Sequence, residues 1–344
     1  MELGQILKAS PEAIRLAAER LKAGGLVAFP TETVYGLGAN AFNEEAVARI
    51  FAVKQRPLFD PLIVHLASQQ DLPVVAEEIP EVVGRLTAIF WPGPLTLLLR
   101  KKSSLPDIVT AGLPTVAVRL PRNEVALALI KECGFPLAAP SANSFGRPSP
   151  TSPQHVLEDL GEEIDLILDG GETAVGVEST VLDLTCQPPV ILRPGGVSRE
   201  ALEEVLGTVR LVSEEDLPRS PGQLRRHYAP RAEVLLYQGK TREAVIAAMQ
   251  SKLRELRQGG HRVGLLVGEG DLARFSEEGM VVESLGNSLD EAARRLFSAL
   301  RALEKQGVEF ILALAPPRQG IGLAVFDRLL RAAGSKLIEV KDGT

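Results

Sequence analysis

Between Leu26 and Leu206, short apolar runs alternate with stretches of helical periodicity. The runs Gly25–Phe29, Leu62–Leu66, Leu95–Leu99, Val116–Leu120, Leu137–Ala139, Leu166–Leu168 and Thr180–Leu184 are bounded by Gly, Pro or polar clusters and read as buried strands. Apolar residues at helical spacing predict helices at Glu44–Val53, Glu81–Ile89, Glu124–Cys133, Pro153–Leu160 and Arg199–Leu206. The first 25 residues read as one amphipathic helix, with Ile14, Ala17, Ala18 and Leu21 on one face. Several strands follow one another without a full helix between them. The expected fold class is therefore α/β with a twisted, mixed sheet and flanking helices, not a regular doubly wound sheet.

The rhythm breaks from Thr208 to Arg231, where the chain is charged, contains three prolines and has little periodicity. It reads as a linker. Beyond it, "AEVLLY", "RVGLLV", "MVVESL" and "VEFILALA" are separated by charged, helix-like segments such as Leu289–Lys305. That pattern predicts a small parallel three-layer domain ending in a helix near Leu323–Ala333. The predicted organisation is a domain over 1–208, a linker over 209–231 and a smaller α/β domain over 232–344.

The 344 residues, 45% of them hydrophobic, suffice for two cores. A formal net charge of −6 lacks the basic balance of a chain built mainly to grip nucleic acid. Two cysteines, Cys133 and Cys186, and four scattered histidines give no disulfide framework and no metal-ligand spacing, so buried thiols are expected. No stretch is long and apolar enough to suggest a membrane span, and the start does not resemble a signal peptide. The expected location is the cytoplasm.

Candidate chemistry gathers at the strand ends of the first domain. "FPTETVYGLG" puts Thr31, Glu32, Thr33 and Tyr35 directly after a strand, followed by glycines that let backbone approach a ligand. "VKQRPLFDPLIVH" places Lys54 and Arg56 before a Pro57…Pro61 loop and His65 after it. "PLAAPSANSFGRPSP" and "GGETAVGVESTVLDL" have the same grammar, and Arg193 ends a strand before Pro-Gly-Gly. With Arg119, these junctions describe a pocket for anions and a hydroxylated or amino-acid ligand. Familiar nucleotide motifs do not fit. "QGKT" would need glycine where Val234 stands, "GLG" lacks the third glycine of a dinucleotide fingerprint, and there is no G-x-S-x-G elbow.

"FPTETVYGLGANA", "WPGPLTLLL", "TVAVRLP", "AAPSAN", "GVESTVLDL" and "LRPGG", in this order, closely resemble the YrdC family. "SPGQLRRHYAP" and the two-domain length resemble its long form, over about Ile14 to Ala333. The resemblance implies a YrdC-like domain around a deep basic cavity and a Rossmann-like C-terminal domain. It implies an enzyme that joins L-threonine, bicarbonate and ATP into L-threonylcarbamoyl-AMP, with magnesium accompanying ATP. It implies transfer of the product to a separate transferase complex that modifies tRNA.

By the same resemblance, Thr33, His65, Arg119, Ser141 and Ser179 surround threonine. Arg56, Asp60, Thr115, Ser141, Asn143, Arg193 and Tyr228 match nucleotide positions, and Lys54 with Arg56 takes the catalytic place. Asp60 stands where the family more often has a neutral residue, and its charge would repel a triphosphate unless magnesium or Lys54 compensates. Phe145 replaces a small residue after "SAN". The linker is expected to return over the cavity as a lid, with Tyr228 facing the nucleotide. Two rivals are weighed. A carbamoyl-adenylate-forming carbamoyltransferase would carry acylphosphatase-like and zinc-finger segments, and an RNA- or tRNA-binding module would be basic. At most weak tRNA contact is expected.

Overall fold

The structure, a computed structural model, describes residues 4–213, 227–275 and 280–341. The chain divides into two compact units. The first holds the described residues up to 213 except 146–148, and the second holds 146–148 and those from 227 onward.

The first unit is built on a 12-stranded mixed sheet. Its strands are β1 (Gln5–Lys8), β2 (Val27–Phe29), β3 (Gly36–Asn40), β4 (Ile63–His65), β5 (Ala76–Glu77), β6 (Leu95–Lys101), β7 (Thr115–Arg119), β8 (Leu137–Ala138), β9 (Leu166–Asp169), β10 (Thr180–Asp183), β11 (Val190–Arg193) and β12 (Arg210–Leu211). The spatial order is β1-β9-β2-β3-β8-β4-β7-β6-β10-β11-β12, with β5 against β6. Parallel pairs (β1 with β9, β4 with β7, β6 with β10) alternate with antiparallel ones. The mixed sheet expected from abutting apolar runs is what forms.

Strand alternation gives the central strands two different faces. Val64, Leu97, Leu99, Val116, Val118, Leu182 and Ile191 belong to the large core that also takes in Val47, Ile50 and Phe51 of the helix Glu44–Lys54. Ile63, Leu98, Ala117, Val181, Val190 and Leu192 form a separate, smaller apolar cluster. His65, Thr96 and Arg119 each lie two positions from a member of that cluster, on its face. The functional face is thus the one the helical core leaves uncovered.

Two elements differ from the sequence reading. Residues 5–8, read as part of the first helix, form β1 beside β9, and the helix itself is Pro11–Lys22, capped by the Ser10 side chain. Arg210 and Leu211, inside the segment read as linker, add a short edge strand to β11. One glycine of "YGLG" also has a packing reason to be small. Gly36 and Gly38 lie in β3, and a Cβ on Gly38 would come within 2.8 Å of the Phe29 ring.

The second unit is a five-stranded parallel sheet of β13 (Glu233–Gly239), β14 (Val263–Val267), β15 (Val281–Ser284), β16 (Phe310–Leu314) and β17 (Leu337–Val340), in the order β15-β14-β16-β13-β17. The unit does not end at the helix Gly322–Ala332, because β17 follows and pairs with β13. Cys133 is buried, with its thiol pushed up to about 12 by burial, while Cys186 is half-buried.

Candidate active site

Register brings the first cluster together. β4 and β7 pair His65 with Arg119, and β6 places Thr96 opposite Arg119. Ser179, one residue before β10, hydrogen-bonds Thr96 between hydroxyls at 2.7 Å. Arg193, opposite Val181 at an irregular point of the β10–β11 pair, donates to the Ser179 carbonyl at 3.0 and 3.2 Å and to its hydroxyl at 3.2 Å. From the β2–β3 connection, Thr33 accepts from Arg119 Nη1 at 2.9 Å and shares a hydrogen bond with the Thr31 hydroxyl at 2.8 Å. Two guanidinium groups, one imidazole and four hydroxyls are thereby gathered from distant chain segments.

Arg119 is 3% exposed, and the carboxylate facing it belongs to Glu32, 4% exposed, with Oε2 at 2.6 Å from Nη2. That contact is ionic only, since neither oxygen of Glu32 and not Nη2 of Arg119 is in hydrogen-bond geometry. Arg119 Nε donates to the Gly93 carbonyl at 3.3 Å, which fixes the plane of the fork. His65 is held neutral. Burial foremost, and then the neighbouring Arg119 charge, lowers its pKa to about 3, despite hydrogen bonds to the Ile63 and Leu137 backbone. The Phe29 ring stands edge-on to it at 6.0 Å, so Gly38 of β3 acts on the site by giving that ring its place.

A second cluster sits on two loops. The helix Glu44–Lys54 stops where Gln55 adopts φ 51°, a left-handed cap that turns the chain so that Lys54 and Arg56 leave it in different directions. Lys54, 1% exposed, donates to the carbonyls of Ser141 (2.6 Å) and Asn143. Burial, with Arg56 adding to it, lowers its pKa well below that of an ordinary lysine. Lys54 thus staples the "SAN" loop. Arg56 curls over its own loop, donating to Asp60 O (3.0 Å) and Pro61 O (2.8 Å) and pairing with the Asp60 carboxylate at 2.9 Å. The carboxylate expected to repel phosphate is therefore partnered by arginine. Burial raises the Asp60 pKa, and Arg56 opposes that rise. Phe145 lies with its ring 6.0 Å from the Arg56 guanidinium carbon.

The staple predicts the phenotype of Lys54→Met. Two buried carbonyls lose their donor, at about 1–3 kcal/mol each, partly offset because a desolvated amine is also removed. Loop order is the sharper readout. Amide exchange over residues 141–145 should quicken at least about tenfold, or about 1.4 kcal/mol; unchanged exchange would show that the loop holds without Lys54.

Thr115 is not with either cluster. It begins β7 on the same face as Arg119, four residues away, or roughly 13 Å at ~3.3 Å per residue. It lines a cleft of about 450 Å³ with Glu78, Arg100, Leu113 and Thr185. Between Arg119 and Thr115 lies the apolar floor of Ile63, Leu98 and Ala117. Tyr228 belongs to the second unit, 1% exposed at φ 59°, with its ring 5.5 Å from Phe297 and 5.0 Å from the Arg328 guanidinium carbon. Both of those contacts are within the second unit, and residues 214–226 of the expected lid lie outside the described residues. Sequence reasoning did not assign Glu32 or Thr96 to the ligand. Both stand inside quoted motifs, but only the fold reveals that one faces Arg119 and the other Ser179.

A sheet face with a buried carboxylate-binding fork, clustered hydroxyls and a neighbouring helix end and loop that carry two cations defines an enzyme that handles an amino acid beside a phosphorylated ligand. Residues 19–195 match the Sua5/YciO/YrdC family, described as "Telomere recombination", and residues 197–334 match "Threonylcarbamoyl-AMP synthase, C-terminal domain". The chain belongs to the Sua5/YciO/YrdC family, in its two-domain form. It is 49% identical to threonylcarbamoyl-AMP synthase of Pyrococcus abyssi, covering 95% of this chain and 96% of that one. It is 45% identical to the enzyme of that name from Bacillus subtilis, covering 94% of each. The crystal structure of P. abyssi Sua5 complexed with L-threonine superposes with a TM-score of 0.93 at 46% identity, over 99% of this chain and 100% of that one.

Proposed function

We infer that the protein condenses L-threonine, bicarbonate and ATP into L-threonylcarbamoyl-AMP and pyrophosphate, the first step toward N6-threonylcarbamoyladenosine in tRNA. The observation that carries this reading is the Arg119 fork set among Thr33, His65, Thr96 and Ser179, supported by the threonine complex of the P. abyssi relative. Arg119 takes the amino-acid carboxylate. Neutral His65 and the hydroxyls can each donate or accept toward a hydroxyl group.

Threonine's free amine and bicarbonate give the carbamate and water. A carbamate oxygen then attacks the α-phosphorus, and pyrophosphate leaves. Charge builds on phosphoryl oxygens in that step, and fixed cations in a dry site stabilise it without reorganising. On this reading Arg56 and Arg193 supply those cations, while Lys54 acts on Ser141 and Asn143 by holding their loop. By family resemblance, Thr115 and Tyr228 contact the nucleotide.

Among the described residues no group of three or more His, Cys, Asp or Glu is arranged to hold a metal. Magnesium entering on a triphosphate needs only one or two protein carboxylates, and Asp60 on the Arg56 loop would serve by exchanging its Arg56 partner for the ion. Bound so, the ion would neutralise charge on the departing pyrophosphate. No helix among the described residues is long and apolar enough to cross a membrane. A product destined for tRNA puts the enzyme, on this reading, in the cytoplasm, handing the water-labile adenylate to a tRNA threonylcarbamoyltransferase complex.

The test is substrate dependence. Purified protein should release pyrophosphate only when threonine and bicarbonate accompany ATP, and labelled bicarbonate should be recovered in an adenylate by mass spectrometry. Equal release without threonine would overturn the assignment.

A further inference from the structure

Threonine reaches any pocket at neutral pH as a zwitterion, and an ammonium group has no lone pair with which to attack bicarbonate. Some group must therefore hold and accept that proton. We propose that Glu32 is this group: it occupies the Arg119 fork before substrate arrives, yields the guanidinium to threonine's carboxylate, and then receives the ammonium and its proton. The proposal rests on the threonine reading of the site.

Glu32 is well suited by position. It touches the guanidinium that takes the ligand carboxylate, and in an α-amino acid ammonium and carboxylate are borne by the same carbon, so an acceptor beside the fork is beside the nitrogen. Its place is fixed, because its own carbonyl accepts from Val175 N at 2.8 Å and the next residue's carbonyl accepts from Gly176 N at 3.1 Å. Its carboxylate oxygens, though buried, meet no hydrogen-bond donor of the described residues in good geometry. A buried carboxylate held by charge alone is primed to exchange one cation for another, since unmade hydrogen bonds are costly and a ligand that makes them is favoured.

The other candidates are engaged or unsuited. The Glu178 carboxylate accepts from the Ser149 hydroxyl at 2.5 Å, and Asp60 pairs with Arg56. His65, held neutral, offers an ammonium no counter-charge, and its Nδ1 lies 3.2 Å from the Ile63 carbonyl. Lys54 is spent on two carbonyls. The proton balance closes without another reactant. Glu32 takes one proton from the ammonium, the amine and bicarbonate form carbamate and water, and Glu32 returns its proton to solvent.

Calorimetry with two ligands separates this role from mere support of Arg119. L-threonine and 2,3-dihydroxybutanoate share the carboxylate and side chain, but only threonine has the ammonium. Glu32→Gln should weaken threonine at least tenfold and the deaminated analogue less than threefold, and it should lower turnover at saturating threonine about a hundredfold. Glu32→Asp, which keeps the charge, should retain part of the preference for threonine and serves if Glu32→Gln does not fold. An equal loss for both ligands would make Glu32 only a counter-ion, and no loss for either, or undiminished turnover, would also overturn the proposal. Wild-type protein that failed to bind threonine at all would instead strike at the functional reading beneath it.

Discussion

Arg119→Met is expected to cost about 3–5 kcal/mol of folding stability and to abolish measurable threonine binding, whereas adding Glu32→Gln should return most of the stability and none of the binding. Arg119 and Glu32 side chains are both 4% exposed and lie 2.6 Å apart. Removing one partner of such a pair leaves the other charge buried and uncompensated, which is the large cost, while removing both often costs little. Two further contacts go with the guanidinium, to Thr33 Oγ1 and the Gly93 carbonyl. The binding loss has another origin, the charge-assisted bond to the ligand's carboxylate, worth about 1.5–3 kcal/mol by itself and more where it also orients the fork. Denaturant unfolding of both variants, with threonine calorimetry on the double variant, checks the two effects separately. A double variant as unstable as the single one would show that the pair is not the source of the cost.

The sequence made the sheet legible because its strands are buried on both sides and read as apolar runs. Leu95–Lys101 and Thr115–Arg119 are found where the pattern places them. Short, half-exposed strands escaped. Gln5–Lys8 alternates weakly and precedes a helix, and Arg210–Leu211 is only two residues in a charged stretch. The site's polar residues were visible as types at strand ends, but their pairing was not. Ser179 and Thr96 are 83 positions apart, and Lys54 and Asn143 are 89 apart, so only the register of distant strands discloses that they meet. The same limit explains the glycines of β3, which looked made for a ligand. For Gly38 the neighbour is Phe29, and the reason for its smallness lies in a side chain from the strand across the hairpin.

His65 makes the second large prediction, one of pH. Its folded pKa of about 3 lies below the ordinary value of 6.5, chiefly through burial and secondly through Arg119. Between those values the unfolded chain carries the proton and the native one does not, so stability rises with pH across the window and is lost as pH falls. The slope is at most about 1.4 kcal/mol per pH unit, which over the whole window amounts to roughly 5 kcal/mol. Asp60 acts in the opposite sense, since burial raises its pKa, so net acid sensitivity will be smaller than the histidine alone would give. His65→Gln isolates the histidine. Urea unfolding of both proteins between about pH 6.5 and about pH 4.5 should show a slope shallower in the variant by about 1 kcal/mol per unit. Arg119→Met combined with Glu32→Gln removes the nearby charge and should move the histidine's titration upward, although burial keeps it below the ordinary value. Because neutral His65 persists at working pH, its part toward threonine is that of a hydrogen-bond partner and not of an acid. A ring that titrates near its ordinary value of about 6.5 in the folded protein, followed by NMR, would remove the acid lability.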